Sequence, residues 1–147
     1  MNIYDKAKEV VSKSYSEINI GDEATLTHTV TNEDVVTFAE LTGDVNPIHL
    51  DDEFAKESLF KGRIAHGMLT AGFISTILGT TLPGTNTIYL AQNLKFTAPV
   101  RIGDTITAVV KVIDKRDDKK IMTLETNVLN EENKKVIEGS AVVMKME

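Results

Sequence analysis

The sequence predicts an α+β fold in which an antiparallel sheet of about five strands wraps one long, buried helix. Two observations predict it. From Met68 to Leu78 there is no charged residue, and Met68, Leu69, Ala71, Phe73, Ile74, Ile77 and Leu78 cover every side of a helix; a helix apolar all round is buried all round. Further along, four runs of residues alternate or favour strands, the pattern of antiparallel strands with one buried face. One helix covers only part of such a sheet and leaves edge strands open, so a homodimer is the expected unit.

The 147 residues suffice for one domain with its own core, and 41% hydrophobic and 26% charged residues are ordinary globular values. Residues 1–14 read as an N-terminal extension and 15–147 as the domain. With no cysteine in the chain, disulfides, thiolate catalysis and cysteine-rich zinc sites are excluded. The same absence suits a reducing cytoplasm. A net charge of -6 speaks against nucleic acid or an anionic membrane as the main partner. The first residues lack the apolar core of a secretory signal, and Met68–Leu78 is too short to span a bilayer. A cytoplasmic protein is expected.

Taken in order, residues 3–13 suit a short amphipathic helix with Ile3, Ala7, Val10 and Val11 on one face. Ile20, Gly21 and Asp22 form a turn before a strand over 24–30. Thr31 and Asp34 stand at capping-box spacing, and Val35, Phe38, Ala39 and Thr42 follow at helical spacing, so 32–41 is a helix with Gly43 as its stop. The segment 44–49 is a shaped loop, because Pro47 fixes its own φ and keeps Asn46 out of the helical region. A helical turn over 53–58 and a loop through Phe60, Lys61 and Gly62 lead to the apolar helix, 66–79. After the turn at 82–86, Ile88, Leu90, Gln92, Leu94 and Phe96 alternate with their neighbours. Ile106, Ala108, Val110 and Val112 do the same, then Met122, Leu124, Thr126 and Val128, and 136–146 is a last strand. Charged turns at 115–119 and 131–134 join the last three as hairpins. The triplet Ile102, Gly103, Asp104 repeats Ile20, Gly21, Asp22, and reads as two similar turns needing glycine rather than as a duplicated domain.

The chemistry-bearing stretch is Thr42–Leu50. It sets the Asp44 carboxylate and the His49 imidazole on one loop, the residue types and proximity that general acid–base catalysis needs; ordinary turn chemistry is the other reading of the same residues. His66 and Gly67 open the buried helix. His66 serves there as a cap, a packing residue or a ligand contact, while glycine in a first turn lets a polarised oxygen approach the free backbone N–H groups of Gly67 and Met68. Ser75 lies inside the helix without the strained elbow of a nucleophile; it either hydrogen-bonds in a pocket, on the face it shares with Met68, or bonds back to its own helix. His28 is expected as a solvated or edge residue. No metal site is expected, since no second histidine stands at helical or strand ligand spacing from His49.

TGDVNPIHLD (42–51) followed by FKGRIAHGML (60–69) resembles the signature of the MaoC-like hydratases, (R)-specific 2-enoyl-CoA hydratases of the hotdog fold. The resemblance continues through Leu82–Gly84, Ile88–Leu90, Leu94–Phe96 and Pro99–Val100 to Ile102–Asp104, and covers nearly all of 17–146. The similar type is the short, single-hotdog hydratase that feeds polyhydroxyalkanoate synthesis. The resemblance implies that Asp44 and His49 are the catalytic pair, that Ser75 is a pocket serine near it and that the Gly67 amide binds the thioester carbonyl, with Asn46 shaping the loop; His66, from its place at the helix start, is a candidate substrate contact. It implies an enoyl-CoA thioester as substrate and a homodimer as the unit. No metal or redox cofactor is implied, coenzyme A being part of the substrate. Lys61, Arg63, Lys95 and Arg101 are the basic residues available to its phosphates. The implied reaction is reversible hydration of short- or medium-chain trans-2-enoyl-CoA to the (R)-3-hydroxyacyl-CoA. A 3-hydroxyacyl-carrier-protein dehydratase, a thioesterase and a non-catalytic acyl-thioester-binding module are the alternatives.

Overall fold

A computed structural model describes residues 1–147. Five strands form one antiparallel sheet: β1 Glu23–Thr29, β2 Thr87–Phe96, β3 Thr105–Arg116, β4 Ile121–Leu129 and β5 Lys135–Lys145, in the order β1-β3-β4-β5-β2. Five α-helices and a 3-10 turn at Tyr15–Glu17 accompany it: α1 Ile3–Lys8, α2 Asn32–Thr42, α3 Pro47–Leu50, α4 Asp52–Lys56 and α5 Gly67–Thr80. In β3 the alternation is carried through to burial, with Ile106, Ala108, Val110 and Val112 fully enclosed. These side chains, with Met122, Leu124 and Val128 of β4 and Ile137, Ala141 and Val143 of β5, form one core with Ala71, Ile74, Ile77 and Leu78 of α5. No helix is long and apolar enough to cross a membrane.

The turns and caps follow from named residues. Gly21 and Gly103 both adopt left-handed φ, +98° and +99°, and their N–H groups donate to Val112 O in β3 and to Val30 O just after β1. Thr31 and Asp34 make both bonds of the capping box on α2, and Gly43 ends it at φ 79°. His28, on the edge strand β1, is half-buried rather than solvated. Its Nε2 lies 2.7 Å from Asp34 and its ring 4.6 Å from that of Phe73. Burial alone would raise the Asp34 carboxyl, but the Thr31 N–H and the His28 ring outweigh it and hold it below the usual carboxylate range.

Four expectations need correction. Helix α5 is enclosed on one side only: Met68 is 58% exposed, and Gly72, Ser75, Thr76 and Gly79 are also exposed. The sheet of a single chain curls over only one face of the helix. The segment 44–49 is not a loop throughout, because Pro47 starts the helix α3; proline's fixed φ and missing N–H suit a first helical position as well as they suit a turn. Helix α1 stops at Lys8, and Ile3 and Val11 stay about three-quarters exposed. Finally, β2 is an edge strand with a register shift between Tyr89 and Ala91, so its alternation gives half-burial at best.

Candidate active site

The site begins where α2 ends. Left-handed Gly43 turns the chain, and three short-range bonds then shape it: Asp44 N–H to Thr42 Oγ1, Asn46 N–H to Asp44 Oδ1, and Ile48 N–H to Asn46 Oδ1. Asn46 thus caps α3, whose single turn carries His49 inward until it is 9% exposed. Asp44 stays exposed.

A strip of chain before α5, Arg63 to His66, holds this arrangement from the other side. Ile64 N–H donates to Ile48 O at 3.3 Å, and the His49 Nδ1–H donates to Ile64 O at 2.8 Å. Arg63 Nε–H donates to His49 O at 2.6 Å and its Nη2–H to Asn32 Oδ1 at 2.7 Å. Ala65 N–H donates to Val100 O at 2.7 Å, which ties the strip to the segment ahead of β3. His66 then turns its Nε2–H to Asp44 O at 3.0 Å and stacks its ring on that of His49, centroids 3.9 Å apart.

A carbonyl oxygen only accepts, so these bonds define tautomers. His49 carries its proton on Nδ1, which leaves Nε2 with a free lone pair in the neutral ring. A carboxylate oxygen of Asp44 and ring nitrogens of His49 and His66 lie within 4.8 Å of one another. The first two can therefore share one water between them. The spacing of the two histidines in the sequence conceals that the fold brings them together. Their rings stack with a tilt of 30°.

Asp44, His49, His66 and Gly67 lie at the head of a cavity of about 570 Å³, whose walls include Phe60, Met68, Phe96, Pro99, Val100 and Ile137. The N–H groups of Gly67 and Met68, first in α5, have no partner within the helix, and the helix dipole points its positive end here. A Cβ on Gly67 would come within 2.7 Å of the Phe96 ring. Glycine is what lets ring and helix end approach so closely. Asp, imidazole and helix N-terminus together can hold a water, polarise an oxygen and move a proton inside a largely apolar slot.

The sequence-selected residues are not all in this cavity. Ser75 lines a second cleft of about 440 Å³ between α5 and β2, with Gly72, Tyr89 and Leu90; Met68 borders both cavities. Asn46 shapes the loop without lining the pocket, and His66 makes no side-chain cap on α5. Arg63 is committed to His49 and Asn32, its side chain only 14% exposed, and so leaves the group of residues available to phosphates. Two participants were not foreseen: Arg63 as the residue pinning His49, and Phe96 over the helix end. Both lie in motifs the sequence made visible, but a motif does not say which neighbour a side chain touches.

Comparison with known proteins places the chain in a family. The profile described as a MaoC like domain matches residues 16–134. The chain is similar to the "(R)-specific enoyl-CoA hydratase" of Rhodospirillum rubrum, 47% identical over 94% of this chain and 95% of that one. It is also similar to a protein of that name from Aeromonas caviae, 42% identical over 88% of this chain and 97% of that one. Among solved structures, the "(R)-hydratase from A. caviae involved in PHA biosynthesis" superposes with a TM-score of 0.85 at 41% identity, over 88% of this chain and 98% of that one. The five-stranded sheet around one helix is the hotdog arrangement that the sequence led us to expect. The chain belongs to the MaoC-like domain family.

Proposed function

We propose that the protein is an (R)-specific enoyl-CoA hydratase, adding water reversibly to short- or medium-chain trans-2-enoyl-CoA. The observation that carries this reading is Asp44 and His49 at the head of an apolar cavity that starts at the N-terminus of α5. The cavity would take the acyl chain and the thioester. The N–H groups of Gly67 and Met68 would polarise the thioester oxygen and hold the enolate that develops on it. One water between Asp44 and the His49 Nε2 would give its hydroxyl to C3, and a proton would reach C2 from the same face. The pair takes a proton from water and returns one to carbon. No metal or redox group enters this scheme. Coenzyme A arrives with the substrate. Lys61, Lys95 and Arg101 are exposed and adjoin the pocket residues Phe60, Phe96 and Val100, where its phosphates would lie.

A homodimer belongs to this reading. The open face of α5 and the edge strand β2, with Tyr89 42% and Leu90 48% exposed, leave the second cleft uncovered. A second copy seated there would cover Ser75 and close the wall beside Met68. The cysteine-free composition suits a cytoplasmic setting.

The test is loss of the enoyl thioester absorbance on mixing with crotonyl-CoA. Asp44→Asn and His49→Gln keep shape but remove the acid–base function, and each should lower kcat by about 10²- to 10⁴-fold. Wild-type rates in both variants would sink the assignment. Steady release of free thiol instead of hydration would make the protein a thioesterase.

A further inference from the structure

His66 is 2% exposed in the wall of the cavity. Nε2 is occupied by the Asp44 carbonyl, and Nδ1 is buried without any hydrogen-bond partner. One ring face lies on His49, at 3.9 Å between centroids, and the ring also meets Phe38, at 4.7 Å. Among the side-chain contacts of the site, His66 alone touches both Asp44 and His49, which lie on different elements. It also immediately precedes Gly67, so its backbone is continuous with the helix end.

We propose that His66 is a positioning residue that holds Asp44 and His49 in one fixed relation, its Nε2–H on the Asp44 carbonyl and its ring face against the His49 imidazole. The catalytic consequence rests on the hydratase reading above; the geometric part does not. The orphaned Nδ1 is the informative detail. A buried acceptor without a partner is costly, and phenylalanine would fill the same space without one. What phenylalanine lacks is the Nε2–H. The histidine is therefore suited to a duty beyond packing, and that duty is the bond to Asp44. Without it, Asp44 is held only by local bonds, its N–H on Thr42 Oγ1 and its Oδ1 accepting from the exposed Asn46 N–H at 3.3 Å. The separation of carboxylate and imidazole, and hence the seat of the water, would then fluctuate.

Two substitutions divide the two contacts. His66→Phe keeps the ring face and removes the N–H. His66→Gln places an amide N–H near the position of Nε2 and removes the face. His66→Ala removes both. With crotonyl-CoA, kcat should fall by about tenfold in each of the first two and about a hundredfold in the third, while KM stays within about twofold. Alongside, the His49 ring resonances should move in His66→Ala and His66→Gln and stay nearer wild type in His66→Phe, which retains an aromatic neighbour. A rise in KM with unchanged kcat would show a substrate contact and overturn the proposal; so would wild-type kcat in His66→Ala. Should His66→Ala not fold, the Phe and Gln variants, compared at matched thermal stability, decide in the same way. Should the wild type fail to hydrate any enoyl-CoA, the hydratase reading falls. The His49 resonances then decide the positioning role alone: unmoved in His66→Gln they overturn it, displaced they uphold it.

Discussion

At the scale of the residue, the pair Asp44 and His49 is held by its neighbours more than by itself. Arg63 is the clearest case. Its guanidinium donates to His49 O and to Asn32 Oδ1 and lies 3.9 Å from Asp52. The last contact is with an 86% exposed carboxylate and adds little. The first is a charge-assisted bond to a carbonyl at the end of α3, a group with no partner in its own helix. Arg63→Met keeps the stem and removes the fork. It should lower stability by about 2 kcal/mol and lower kcat more than it raises KM, because His49 loses its backbone anchor while the pocket walls stay. Chemical denaturation and crotonyl-CoA kinetics on the same preparation measure both. Arg63→Lys should recover only part of each loss, since one ammonium nitrogen does not reproduce the two spaced donors, Nε and Nη2, that reach His49 and Asn32. An unchanged kcat in Arg63→Met would show that α3 holds His49 unaided.

At the scale of the element, what the sequence reveals and what it hides separate by sequence distance. The capping box of Thr31 and Asp34, the stop at Gly43 and the buried strand β3 are written in neighbouring residues, and all are found. The stack of His49 on His66 joins residues far apart along the chain, with α4 between them, and no periodicity encodes it. The single turn of α3 was hidden differently, because Asn-Pro opens a turn and a helix with the same first residues. The open face of α5 was hidden by composition: an apolar helix looks the same whether its own sheet or a second chain covers it. Gly72 bears on that choice. It lies mid-helix, where glycine costs about 0.5–1 kcal/mol relative to alanine, yet a Cβ there would meet nothing within 4 Å in the single chain. Nothing inside one chain requires it, whereas a second chain packed closely on this face would. Gly72→Arg should therefore fold as a single chain but sediment at half the mass of the wild type. A wild type that already sediments as a monomer removes the dimer from the proposed function.

At the scale of the whole molecule, the two ends of the chain are fastened together on the side defined by the tips of β3 and β5. Lys145 is 3% exposed and bonds Ser12 and Thr85; burial pushes its ammonium down, with Glu147 acting the other way. Gly84, at φ +93°, lies so close to residues 11 and 12 that a Cβ would come within 2.5 Å of the Val11 carbonyl. Tyr15 is the centre of this fastening. Its N–H donates to Glu147, its hydroxyl to Asp117 at 2.7 Å, and the Lys115 ammonium sits 4.1 Å above its ring while bonding the carbonyls of Tyr15 and Ile18. Burial first, then the bond to Asp117 and the carboxylates of Asp117, Asp114 and Asp118, push the Tyr15 hydroxyl from 10.0 up to about 12. The folded state thus favours the protonated phenol. A raised folded value means that this stabilisation is complete below the unfolded value near pH 10. It is lost as pH rises toward 12, because the unfolded chain releases its proton first. Stability should accordingly be insensitive to Tyr15 ionisation up to about pH 10 and decline above it. Tyr15→Phe should be less stable near neutrality, having lost the bond to Asp117, but should decline less steeply between pH 10 and 12. Thermal melts of both proteins across that window measure the difference in slope. Parallel declines would mean that Tyr15 ionises as freely in the folded chain as in the unfolded one, and that the fastening rests on Lys115, Lys145 and the backbone alone.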